Sequence, residues 1–85
     1  MKLARTARFA RDFRSLPPDI QGRAAKQFQL LLDNPRHPSL RIKKMEGTQD
    51  IWEGRITKAY RFTFQVHHDT YILRRIGAHD ILSTP

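Results

Sequence analysis

Two hydrophobic periods divide this chain. From residue 6 onward, Phe9, Phe13 and Leu16 recur at steps of four and three, the spacing of one helix face. Thr6 stands where a side-chain oxygen can cap the first turn. Pro17 and Pro18 interrupt that helix, because proline fits the first turn of a new helix but not the interior of an old one. A second helix is predicted over residues 17–33, with Ile20, Ala24, Phe28, Leu31 and Leu32 in one stripe and Asn34-Pro35 as its stop. Gly22 inside it costs about 1 kcal/mol relative to alanine and weakens its first turn.

After a loop through Pro35, His37 and Pro38 the period changes to two. Leu40 and Ile42 alternate with Arg41 and Lys43, predicting a strand over 40–45. A turn at 47–50 leads to a strand over 51–56, and Thr57-Lys58 turns the chain into another over 59–67. There Tyr60, Phe62, Phe64 and Val66 alternate with Arg61, Thr63, Gln65 and His67, which gives one apolar and one polar face. His67-His68-Asp69 reads as a hairpin turn before a last strand over 70–76, and Gly77 is predicted to break that ladder. Residues 2–5 suit a short opening strand. The order β-α-α-β-β-β-β implies an α+β fold, with a two-helix hairpin on one face of a mainly antiparallel four- to five-stranded sheet. The pattern does not fix where the opening strand pairs. Phe9, Phe13, Phe28, Phe62 and Phe64 read as core, and so does Trp52, for which base stacking is the other reading.

Composition narrows the function. The 85 residues make one small domain over 1–85, and 16 Lys+Arg against 8 Asp+Glu leave a formal charge of +8. The positive residues run through the whole chain, which points to nucleic acid or to an acidic protein partner. Absence of cysteine excludes disulfides, thiolate metal sites and cysteine nucleophiles. The four histidines show no HxH or HxxxH spacing, so no metal or other cofactor is expected. No apolar stretch approaches the roughly 20 residues of a membrane span, and the first residues carry no signal-like apolar run, so a cytoplasmic chain is expected.

The chemistry concentrates in residues 51–80, which present Arg55, Arg61, Arg74, Arg75 and then His79. Guanidinium forks match phosphate oxygens, and imidazole moves protons near neutral pH. Blander roles stand beside these. Arg61 also suits a solvated strand position or a cross-strand pair with Glu53. An ion pair of Glu53 with Arg74 or Arg75 would occupy one of those two. Simple alternation sends Arg74 and Arg75 to opposite faces, and Arg75 shares the parity of His79. Lys43 and Lys44 also alternate, so both cannot aim at one phosphate; Lys43 shares its side with Arg41. His67 and His68 suit a solvated turn, and His37 lies in a proline-rich loop.

The ordered set LPPDIQ, LRIKKMEG, IWEGRIT, YRFTF and YILRRIGAHD resembles the RelE/ParE toxin superfamily, the small basic toxins of bacterial toxin–antitoxin pairs, over essentially the whole chain. The superfamily holds two functions on one fold: RelE-type members cut mRNA in the ribosomal decoding site, and ParE-type members poison DNA gyrase. The resemblance implies a type II toxin that is a ribosome-dependent endoribonuclease, using metal-independent attack by the ribose 2′-OH. A gyrase poison without nuclease activity is the alternative, and a plain nucleic-acid-binding module is a third reading. On this resemblance Arg61 holds the scissile phosphate and His79 is general acid or base. Lys43, Lys44 and Arg55 grip the RNA backbone, with Arg75 as a further phosphate contact. RelE itself has a C-terminal tyrosine where His79-Asp80 stands here, which moves this chain toward histidine-using relatives. The implied partners are a cognate antitoxin and mRNA on the ribosome, with no membrane. The free chain is expected to be monomeric and to assemble further through the antitoxin.

Overall fold

The computed structural model describes residues 1–85. Strand β1 (Lys2–Arg5) leads into helices α1 (Ala7–Arg14) and α2 (Pro18–Asp33), then a 3₁₀ turn at Pro38–Leu40. Strands β2 (Lys43–Lys44), β3 (Trp52–Arg55), β4 (Tyr60–His67) and β5 (Thr70–Ala78) follow, and a closing 3₁₀ turn spans His79–Ser83. The sheet order is β1-β5-β4-β3-β2. β1 lies parallel to β5 and every other pairing is antiparallel.

Local chemistry explains the helix ends. The Thr6 hydroxyl accepts the Phe9 amide at 3.1 Å and donates to the Arg74 carbonyl at 3.1 Å, so one side chain both caps α1 and ties it to β5. Pro18 opens α2 directly after Pro17, where its missing amide proton costs nothing. The apolar stripes then meet the sheet: Phe9, Leu16, Ile20, Ala24, Phe28 and Leu31 bury against Phe62, Phe64, Tyr71, Leu73 and Ile76. Phe28 meets Phe62 edge-on with ring centroids 5.1 Å apart, and Phe64 meets Tyr71 in the same way at 5.7 Å. Each such aromatic contributes about 1.5–3 kcal/mol through burial. Phe62 fits only because its cross-strand partner is Gly54, where a Cβ would stand 2.3 Å from the ring. No helix is long and apolar enough to cross a membrane.

Three local expectations need correction. The strand predicted over 40–45 shrinks to Lys43–Lys44. Leu40 is fully buried in the core from a 3₁₀ turn, and Arg41 then adopts a left-handed backbone (φ 48), so extended pairing starts only afterwards. Gly77 does not break β5; it pairs with Arg61, and Ala78 pairs with Tyr60. Its bare Cα instead admits Ile81, whose Cγ2 lies 2.9 Å from where a Cβ would be. Finally, Thr63 pairs with Arg75 while Phe64 pairs with Leu73, leaving Arg74 as an extra residue in β5. That bulge removes the simple alternation expected of Arg74 and Arg75.

Candidate phosphate-binding surface

Residues directly opposite across antiparallel strands point to the same side of a sheet. The register therefore lays two rows across the face away from the helices: Lys43, Glu53, Thr63 and Arg75 in one, and Arg55, Arg61 and Gly77 in the other. The closing turn and the segment after it cross this face, with Ile81 buried over Gly77.

Arg41, Ile42, Lys43, Glu53, Arg55 and Arg61 line an open depression of about 400 Å³ at the β2–β3–β4 end. Four cationic side chains thus face one carboxylate. Glu53 is buried and accepts from Lys43, Nζ to Oε1 3.3 Å. Arg55 and Arg61 stand directly opposite one another, a like-charge arrangement that raises the local potential at some expense in stability. The Arg55 Nε is buried and has no hydrogen-bond partner. Such an orphaned donor costs about 1–3 kcal/mol.

Arg61 is anchored by its own turn. Its Nη1 donates to the carbonyls of Thr57 (2.7 Å), Lys58 (2.9 Å) and Tyr60 (3.2 Å). The guanidinium is therefore held in one place, with Nε and Nη2 outside those bonds and available to a ligand. The alternative cross-strand pair of Arg61 with Glu53 does not form; the Glu53 carboxylate pairs with Lys43.

The other candidate residues lie apart from this depression. Lys44 pairs with Asp50 at 3.0 Å and lines a neighbouring hollow with Lys43, Glu53 and Leu82. Arg75 donates from Nε to Asp12 Oδ2 at 2.7 Å and from Nη1 to the Thr84 carbonyl at 2.9 Å. Arg74 donates from Nε to the Pro85 carbonyl at 3.2 Å and from Nη1 to Gln65 Oε1 at 2.9 Å. Through the bulge both arginines reach the same C-terminal segment, and neither pairs with Glu53. His79 is exposed at the start of the closing turn. It does not line the depression; it follows two residues after Gly77, the partner of Arg61, at the end of that strand pair.

His67 and His68 form the exposed hairpin tip, their rings 4.2 Å apart. The His37 Nδ1 accepts the Ser39 amide at 3.2 Å and caps the 3₁₀ turn. Trp52 packs against the core. Arg41 joins the site although the sequence marked it only by sharing a side with Lys43. Asp12, which fixes Arg75, carried no sequence signal beyond being an isolated acid in a basic helix.

No family model matches the chain, and no curated protein matches it. Solved structures do. YafQ from E. coli superposes with a TM-score of 0.80 at 10% identity, covering 95% of this chain and 96% of that one. A YoeB/ParE toxin from Agrobacterium tumefaciens gives 0.78 at 18% identity, over 93% and 99%. The structure of the RelB-RelE antitoxin-toxin complex from Methanococcus jannaschii gives 0.77 at 22% identity, over 95% and 95%. The two-helix, five-stranded α+β architecture is the fold of these toxins, as the sequence resemblance implied.

Proposed function

We propose that this chain, which has the RelE/ParE toxin fold, is the toxin of a type II toxin–antitoxin pair and an endoribonuclease that cleaves mRNA on the translating ribosome. The observation that supports this best is the depression in which Arg41, Lys43, Arg55 and Arg61 gather around one carboxylate. In the reaction the ribose 2′-oxygen loses its proton and attacks the adjacent phosphorus. The bond from phosphorus to the 5′-oxygen breaks, leaving a 2′,3′-cyclic phosphate and a 5′-hydroxyl that has gained a proton. Negative charge grows on the phosphoryl oxygens in between, where fixed cations lower the barrier most. Arg61, immobilised by its turn carbonyls, offers Nε and Nη2 to those oxygens, and Arg55 adds positive charge from directly across the strand pair. Lys43 and Lys44 hold the flanking backbone, and Arg75 adds positive charge farther along. His79, two residues beyond Gly77 at the end of the β4–β5 pair, is the group assigned to proton transfer.

The wider setting follows from the same reading. The Methanococcus jannaschii neighbour was solved as an antitoxin-toxin complex. A cognate antitoxin with an acidic segment fits the +8 charge of this chain and would cover the basic face in the cytoplasm. The test is induced expression of Arg61→Ala and His79→Ala, with colony counts, primer extension on cellular transcripts, and thermal melting. Losing a fixed transition-state cation or a proton-transfer group slows such reactions by about 10²–10⁴-fold. Both folded variants should therefore permit growth, and the wild type should generate new mRNA ends inside codons. Full toxicity of both variants would remove the catalytic assignment. DNA breaks and a DNA-damage response with intact transcripts would instead favour the gyrase-poison function.

A further inference from the structure

A second basic pocket lies at the opposite edge of the sheet. It holds about 160 Å³ and is lined by Thr6, Arg8, Arg74, Arg75 and Pro85, with no apolar side chain but that of the proline. Arg75 pairs with the Asp12 carboxylate, and Arg74 donates to the Pro85 oxygen at the chain end. Arg8 is exposed and makes no hydrogen bond or ion pair within the chain. It also stands in the first turn of α1, which contains no acidic residue. A cation there opposes the positive end of the helix dipole and weakens the helix. Arg74 uses Nε and Nη1 on Pro85 and Gln65, which leaves Nη2 free. The unpartnered Arg8 and the free Nη2 of Arg74 thus converge at a helix start, where a bound anion would offset both their mutual repulsion and the clash of Arg8 with the helix dipole.

We infer that this pocket seats a backbone phosphate of the RNA strand whose cleavage site occupies the Arg41–Arg55–Arg61 depression. The inference rests on the proposed ribonuclease reading and extends it by defining the path of the substrate. Arg75 and Lys43 end one cross-strand row, three strand spacings or about 14 Å apart, and the Thr63 hydroxyl between them donates to the Pro85 oxygen of the C-terminal segment. A strand of a few nucleotides reaches both. The polar lining selects phosphate over an apolar protein anchor, and the separation of the two pockets selects an extended polyanion over a single ion.

The experiment measures binding of a labelled 12-nucleotide, fully 2′-O-methylated RNA, which has no free 2′-OH to attack, as a function of salt. Each single-strand phosphate contact contributes about 0.7 to the slope of log affinity against log salt, or about fivefold in affinity at 0.1 M. Arg8→Gln removes a side chain with no internal partner, so it should keep the wild-type melting temperature while lowering the slope by about 0.7. Arg74→Gln gives a second reading of the same pocket, and Arg61→Ala reads the other pocket. Arg8→Gln combined with Arg61→Ala should lower the slope by about 1.4, because separate sites add. An unchanged slope in Arg8→Gln beside a reduced slope in Arg61→Ala would overturn the second seat and leave the ribonuclease reading intact. Unchanged slopes in both variants would remove both, and no binding of the free RNA by the wild type would overturn the path. Tighter binding of duplex DNA of equal length, with the same dependence on Arg8, would assign the pocket to another ligand. Saturable binding of inorganic phosphate that the RNA fails to displace would make it a free-anion site and equally overturn the path.

Discussion

Asp12 is the least conspicuous residue on which the architecture depends. β1 ends at Arg5, so beyond Leu73 the outer edge of β5 has no strand beside it and α1 covers it. Asp12 supplies the missing partner: its Oδ2 accepts the Ile76 amide at 3.2 Å and the Arg75 Nε at 2.7 Å. The Asp12 and Arg75 side chains are only 18% and 13% exposed, so solvent screens the pair weakly. A hydrogen bond between charged groups contributes about 1.5–3 kcal/mol, and an edge amide left without an acceptor costs about 1 kcal/mol more. Asp12→Ala should therefore destabilise the fold by about 3 kcal/mol. For a domain of this size each kcal/mol moves the melting temperature by about 4–8 °C, so the midpoint should fall by more than about 10 °C. Asp12→Asn keeps an acceptor for Ile76 and loses the charge, and should cost about half as much. Urea unfolding of Asp12→Ala, Arg75→Ala and the double variant closes a cycle whose coupling energy should exceed about 1.5 kcal/mol. The reasoning is refuted if the single effects add to within about 0.5 kcal/mol, or if Asp12→Ala melts within about 2 °C of wild type.

Two further substitutions test the packing argument. Gly54→Ala would drive a methyl group into the fully buried Phe62 ring, 2.3 Å from its nearest atom, so a loss of at least about 3 kcal/mol or failure to fold is expected in a thermal melt. Gly22→Ala, by contrast, places its methyl in open space within α2 and should raise stability by about 0.5–1 kcal/mol in denaturant titration; a decrease would mean that the helix requires glycine there.

The change of hydrophobic period at Pro35, the proline break between the helices and the alternation through 60–67 were enough to give the order of elements, because each reflects local backbone chemistry. The stripe of Ile20, Ala24, Phe28 and Leu31, and the alternating Phe62 and Phe64, likewise identified the two surfaces that meet in the core. The candidate arginines were visible as residue types on the polar side of strands. Their grouping was not. Arg55 faces Arg61 only because β3 and β4 pair in one particular register, and Arg41 joins them only because a left-handed turn precedes β2. The parity argument placed Arg74 and Arg75 on opposite faces, but the bulge brings both to the segment ending in Thr84 and Pro85. Arg75 finds its carboxylate on Asp12, 63 residues away in the chain, rather than on Glu53.

Period, capping and turn chemistry thus came from the sequence by itself, since they depend on neighbours a few residues apart. Strand order, the parallel docking of β1 on β5, the bulge at Arg74 and the two basic pockets came from the tertiary structure. They depend on which distant segments bury each other's apolar faces. A one-residue insertion in a ladder also redirects every polar side chain beyond it without changing the hydrophobic pattern that announces the strand.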